Sequence, residues 1–107
     1  MNIVKLDVKN FKSEVIDSQK PVMVDFYADW CGPCRMLSPS IESLAGEYSD
    51  RLKIAKLNVD TAGEVAAQFG ISGIPTVIMF KNGNVVDHFT GALPKQSIEQ
   101  FIKKNIS

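Results

Sequence analysis

Cys31 and Cys34 are the only thiols in a chain of 107 residues, and they share one short segment, Trp30-Cys31-Gly32-Pro33-Cys34. The segment follows an apolar run and opens a helix-like pattern. At i and i+3 on one helical turn, two Cα atoms lie about 5–5.5 Å apart, inside the window a disulfide needs. Such a pair closes and reopens a bond with little backbone movement. A helix N-terminus also presents unpaired N–H groups and the positive end of the macrodipole, which favour thiolate over thiol. Type, spacing and local structure therefore predict a redox dithiol. The other reading is half of a zinc site, which needs about four ligands. Beyond the two thiols the chain offers only His88 and scattered carboxylates, so no metal is expected.

A second candidate is Asp25, set between Val24 and Phe26 inside the apolar run Val22 to Ala28. Burying a carboxylate there is costly unless it is neutral or paired, so its pKa should rise. A carboxyl group poised near neutrality suits a proton acceptor for a thiol. The competing reading is an edge-strand aspartate facing water. Pro75 begins a strand, where proline is tolerated and need mean nothing more. His88 falls in a hairpin and is expected to be a surface strand residue.

The elements that must position these groups follow from the periodicity. Ile3 to Leu6 reads as a strand. Asn10 is a plausible N-cap for a helix carrying Phe11, Val15 and Ile16. Pro21 stops that pattern, and Val22 to Ala28 is apolar on both alternate sets, as a strand buried on both faces should be. Met36, Leu37, Ile41, Leu44, Ala45 and Tyr48 mark a long amphipathic helix that Pro39 should kink. Leu52 to Val59 is a further strand, and Ala62 to Phe69 a helix ended by Gly70. Thr76 to Phe80 and Val85 to Thr90 are strands joined through Asn82-Gly83, a strong hairpin signal. Ser97 to Ile106 closes the chain as a helix. The order β-α-β-α-β-α-β-β-α predicts an α/β fold, a mixed five-stranded sheet flanked by four helices. Strands separated by crossover helices are expected to run parallel, with the hairpin adding an antiparallel pair. Chemistry in such sheets gathers beyond the carboxyl ends of strands, where Cys31 falls.

Length and composition bound the rest. A chain of 107 residues, 45% hydrophobic and 22% charged, suits one globular domain spanning 1–107. Twelve basic residues balance twelve acidic ones, which disfavours nucleic acid and anionic membranes as partners. The start, Met1-Asn2-Ile3-Val4-Lys5-Leu6-Asp7, has no basic region followed by an apolar one, and the longest apolar run is too short to span a bilayer. A cytoplasmic protein is expected, and in that compartment a CxxC is catalytic or metal-binding more often than structural.

With these residues in view, the chain resembles the thioredoxin family. Trp30-Cys31-Gly32-Pro33-Cys34 is similar to the active-site signature of that family. Val24-Asp25-Phe26, Ala55-Lys56-Leu57-Asn58-Val59-Asp60, Gly73-Ile74-Pro75-Thr76, Phe80-Lys81-Asn82-Gly83 and Gly91-Ala92 fall in its order and spacing. The resemblance covers essentially the whole chain. Two positions depart from it: Tyr27 stands where many members have a second tryptophan, and Arg35 replaces the usual lysine. Arginine keeps the charge but is bulkier and more weakly hydrated, so fine tuning or partner preference should change, not reaction class.

The resemblance implies a protein-disulfide reductant. Cys31 is then the exposed attacking thiolate and Cys34 the more buried resolving thiol. Asp25 accepts a proton through water, and Lys56 is the nearby cation that modulates it. A cis Ile74-Pro75 bond faces the dithiol, leaving the Ile74 backbone free to pair with an extended substrate segment. Trp30, Gly32, Pro33, Ile74, Gly91 and Ala92 form an apolar rim for docking unrelated protein surfaces. Gly32-Pro33 places no histidine between the thiols to stabilise the reduced form further, which favours a reductant over an oxidase or isomerase. The implied partners are disulfide-containing targets and a thioredoxin reductase, usually an NADPH-dependent flavoprotein. The chain itself is expected to be a monomer without a cofactor. A subunit role in a larger assembly is the rival reading.

Overall fold

The computed structural model describes residues 2–107; Met1, the head of the N-terminal segment read above, lies outside the described residues. The elements are β1 (Ile3–Leu6), a short π-helical segment (Lys12–Ile16), β2 (Val22–Tyr27), α1 (Gly32–Glu47), β3 (Lys53–Asn58), α2 (Gly63–Gln68), β4 (Thr76–Lys81), β5 (Asn84–Thr90) and α3 (Lys95–Ile106). Five strands and four helical segments follow one another in the expected order. They form the mixed sheet of the thioredoxin fold, with strand order β1-β3-β2-β4-β5.

β2 lies in the middle of this sheet because its residues are apolar on both faces. Val22, Val24 and Phe26 point into one layer with Phe11, Val15 and Phe80, against the π-helical segment and α2. Met23 points into the other with Leu37, Ile41, Leu44, Ile98 and Ile102, against α1 and α3. Side chains alternate along a strand, so Asp25 and Tyr27 share the face of Met23, beneath α1. Full burial of side chains such as Phe26 and Ile41 stabilises by about 1.5–3 kcal/mol each. The rings of Phe11, Phe69 and Phe80 add tilted and edge-on contacts at 5.3–5.9 Å between centroids.

β1, β3 and β2 run parallel, and β5 pairs antiparallel with β4. One expectation is corrected here. β4 follows β3 across a helix yet runs antiparallel to β2. With six residues, α2 spans about 9 Å, whereas the six-residue strand β3 spans about 20 Å. The helix moves the chain sideways without returning it to the far end of the sheet. β4 consequently enters at the end where β3 leaves, pairing Thr76 with Phe26. That reversal brings Ile74-Pro75 to the carboxyl end of β2, beside the cysteines.

Local signals hold in most places. Asn82 and Gly83 both have positive φ, 54° and 79°, as the tight turn between β4 and β5 requires. Gly70 has φ 65° and ends the α2 region. Pro39 sits inside α1, where its missing N–H leaves the Arg35 carbonyl without its helical donor, on the exposed side of the helix. Two local expectations are corrected. Asn10 is not a side-chain cap, because its amide bonds to the Lys5 carbonyl and the Asp7 N–H, while the Asp7 carboxylate takes the N–H groups of Lys9 and Asn10. Met36 is 75% exposed, although Leu37 beside it is buried.

Candidate active site

α1 begins with a sulfur atom. Cys31 is its N-cap in an extended conformation, and its Sγ accepts the N–H of Cys34 at 3.2 Å. An N-cap normally offers an oxygen to these orphan amides; here a disulfide sulfur does so. Pro33 sits in the first turn, where its missing N–H costs nothing. The Cys31 N–H bonds back to the Ala28 carbonyl at the end of β2, so strand and helix are fixed across three residues. Cys31 and Cys34 are joined in a disulfide with Cα atoms 5.3 Å apart.

The expected contrast between an exposed Cys31 and a buried Cys34 is absent: each is 4% exposed. In the oxidised pair the Cys31 sulfur is turned into the first turn of α1. It is covered from the other side by the Ile74 carbonyl, 3.8 Å away. Ala28, Tyr27, Val59 and Ile74 complete the apolar surround.

Asp25 is 1% exposed, and neither carboxyl oxygen has a hydrogen-bond partner. Burial pushes its pKa from 3.8 up to about 6, and the charge of Lys56 offsets this only in part. Lys56 pairs directly with Asp25 across the parallel β2–β3 ladder. Its Nζ donates to Ser38 Oγ of α1 at 3.3 Å and lies 4.5 Å from the centre of the Tyr27 ring. A cleft of about 140 Å³ opens here between Tyr27, Ala28, Asp29, Cys34, Arg35, Ser38 and Lys56. Cys34 and Lys56 thus share a cavity roomy enough for water and lined by polar groups.

Of the expected rim residues, Ile74 packs directly against the disulfide. Trp30 is 69% exposed and donates from its indole Nε1 to Asp60 Oδ2 at 2.9 Å. A second groove, about 170 Å³, runs between Trp30 and the segment Ile71 to Ile74. The Ile74–Pro75 bond is cis, as the resemblance implied. The Pro75 carbonyl accepts the Gly91 N–H at 2.9 Å, which ties Gly91-Ala92 to the same face. Gly32 is half-buried and Pro33 exposed at the start of α1. Arg35 is exposed and donates from Nη1 to the Asp29 carbonyl at 2.8 Å. His88 lies on β5, exposed and apart from this group, as expected. Among the described residues no group of three or more His, Cys, Asp or Glu side chains is placed to hold a metal ion. Sequence reading missed three contributors: Ser38, Asp60 and the ring of Tyr27. Each acts through a long-range contact that local spacing does not encode.

Comparison with known proteins agrees with this geometry. Residues 2–104 match the family model for thioredoxin. A thioredoxin of Chlorobaculum thiosulfatiphilum is 53% identical over 98 residues, covering 92% of this chain and 91% of that protein. A thioredoxin of Porphyra purpurea is 45% identical over 107 residues, covering all of both chains. The protein named thioredoxin M-type, chloroplastic, of Chlamydomonas reinhardtii is 46% identical over 97 residues, covering 91% of this chain and 69% of that one. With the disulfide-bonded Cys31–Cys34 pair at the helix N-terminus, these matches place the chain in the thioredoxin family, as a thiol–disulfide oxidoreductase that reduces protein disulfides by reversible dithiol exchange.

Proposed function

We propose a division of labour within that exchange, with 1–107 acting as one thioredoxin domain. The Cys31 thiolate attacks one sulfur of a target disulfide and releases the other as a thiolate. Cys34 then gives its proton to Asp25, through water in the cleft beside Lys56, and attacks Cys31 Sγ. The second target thiol departs and the Cys31–Cys34 bond closes. Two electrons pass to the target in one cycle. The observation that supports this most directly is the unpartnered Asp25 carboxyl, buried on the sheet face beneath α1. A carboxyl with a pKa of about 6 is matched to taking a proton near neutral pH. Lys56 moderates its charge.

Trp30, Gly32, Pro33, Ile74, Pro75, Gly91 and Ala92 receive the target. The backbone of Ile74 pairs with an extended segment beside the disulfide, in the manner of strand addition. The exposed, largely uncharged rim accounts for docking to unrelated surfaces by shape. Family members are rereduced by a thioredoxin reductase and act on disulfide targets. For this chain we assign an NADPH-dependent flavoprotein as the reductase, a monomeric state, and the cytoplasm, where thiols are kept reduced. Among the described residues no helix is long and apolar enough to cross a membrane.

Reduction of a protein disulfide driven by dithiothreitol tests the assignment. Cys31→Ser is expected to be inactive, and Cys34→Ser to accumulate a mixed disulfide with the target. Undiminished activity in Cys31→Ser, or trapping by Cys31→Ser in place of Cys34→Ser, would overturn the assigned roles.

A further inference from the structure

Lys56 has two ways to satisfy its ammonium, and neither is Asp25. One is the hydroxyl of Ser38 on α1; the other is the face of Tyr27, two residues beyond Asp25 on the same strand and the same side of the sheet. We propose that Tyr27 is a positioning residue: its ring fixes the Lys56 ammonium at a set place near Asp25, and so sets the pH at which Asp25 gains and loses its proton.

The argument rests on what surrounds Asp25. From β3 the facing charge is Lys56, and from β4 the paired residue is Val77, which does not titrate. From α1 and the turn before it come Cys34, held in the disulfide, and Arg35, whose guanidinium is turned to the Asp29 carbonyl. Asp29 itself is exposed. α3 sends Ile98 and Ile102 into this layer, while its Lys95 and Glu99 engage Glu47 and Tyr48. Among the described residues Lys56 is therefore the charge whose placement acts on Asp25, in keeping with its effect in lowering that carboxyl. A lysine stem is long and flexible, and without the ring its ammonium keeps only the Ser38 hydroxyl and can shift towards the cleft. The ring face offers the electrostatic attraction that stops this. Tyr27 also feels the site in return, because burial and then the Asp29 and Asp25 charges raise its own phenol.

The proposal takes its meaning in turnover from Asp25 as the proton acceptor, but its test reads Asp25 directly and does not depend on exchange rates. The Asp25 carboxyl carbon is titrated by NMR in the oxidised full-length protein, for Tyr27→Leu and Tyr27→Phe, each with Lys56 present and with Lys56→Met. With Lys56 present, Tyr27→Leu is expected to raise the midpoint by about 0.5 pH unit relative to its effect in the Lys56→Met background. Tyr27→Phe keeps the ring and is expected to leave the midpoint in place. The same Leu effect in both backgrounds, or a Phe variant that behaves as Leu does, would overturn the proposal. A measurement on the unmutated protein guards against a misfolded variant: the ε-methylene protons of Lys56 are expected to be shifted upfield by the ring, and their absence from that region overturns the proposal equally. Asp25→Asn exchange rates test the proton-acceptor reading separately.

Discussion

Asp25 and Lys56 occupy paired positions on adjacent strands and face the same side of the sheet, yet no ion pair joins them. The carboxyl oxygens stay bare, and the ammonium is drawn to Ser38 and Tyr27 instead. An ion pair would hold the carboxylate charged at all ordinary pH. The separation leaves burial as the larger influence, so the group titrates near neutrality.

That arrangement is costly to the fold. Because the folded-state pKa is raised to about 6, the folded protein holds a proton that the unfolded chain has released between about pH 4 and pH 6. Stability on account of Asp25 is therefore greatest below about pH 4, declines as pH rises through about 6, and stays low above it. Asp25→Asn is expected to gain about 2–3 kcal/mol relative to the unmutated protein between pH 4 and pH 8. Urea denaturation at both pH values checks this. An equal effect of the substitution at the two pH values would contradict it.

The same carboxyl should govern the resolving step. Release of the second target thiol is expected to accelerate as pH rises through about 6, where Asp25 becomes able to accept a proton. In Asp25→Asn that step slows by about 100-fold at pH 7, and the inflection near 6 disappears. Stopped-flow measurement of the decay of a preformed mixed disulfide reads both effects.

Trp30 is the single tryptophan of the chain, and its indole is held by Asp60 although most of its surface faces water. Removing that acceptor in Asp60→Ala should free the ring. We expect KM for a protein-disulfide target to rise about 3-fold with kcat unchanged, a loss of under about 1 kcal/mol. Fluorescence anisotropy of the lone indole should fall in parallel. Unchanged anisotropy would show that something else holds the ring.

Two glycines with positive φ should respond differently to alanine. At Gly83 an added Cβ meets the Ile16 carbonyl oxygen at 2.8 Å, whereas at Gly91 nothing lies within 4 Å. Gly91→Ala bears only the left-handed backbone cost, about 1 kcal/mol. Gly83→Ala adds a clash with main chain that cannot move aside, and is expected to cost about 2 kcal/mol or more. Chemical denaturation midpoints rank the two.

Much of this molecule was legible in its residues. Val22 to Phe26 announces a strand buried on both faces, and the aspartate inside it is buried with them. Asn82-Gly83 declares its turn because few residues accept positive φ in succession. Other features were hidden for identifiable reasons. The direction of β4 depends on how far α2 carries the chain, a length that local pattern does not convey. Cys31 is covered because its sulfur bonds inward and Ile74 arrives from 43 residues away. Met36 shares the apolar character of Leu37 but points outward, since a helix buries a stripe and not a composition. The partners of Lys56 come from two other elements, and nothing in the spacing of Tyr27, Ser38 and Lys56 foretells their meeting.

The sulfur that caps α1 ties reactivity to secondary structure. A neutral disulfide sulfur is a weak acceptor, whereas a thiolate in the same place would take the Cys34 amide in a charge-assisted bond at the positive end of a sixteen-residue helix. The helix is thus best finished when Cys31 is ready to attack. Electron delivery to this protein is then expected to strengthen the cap of its longest helix, and each turnover to weaken it again.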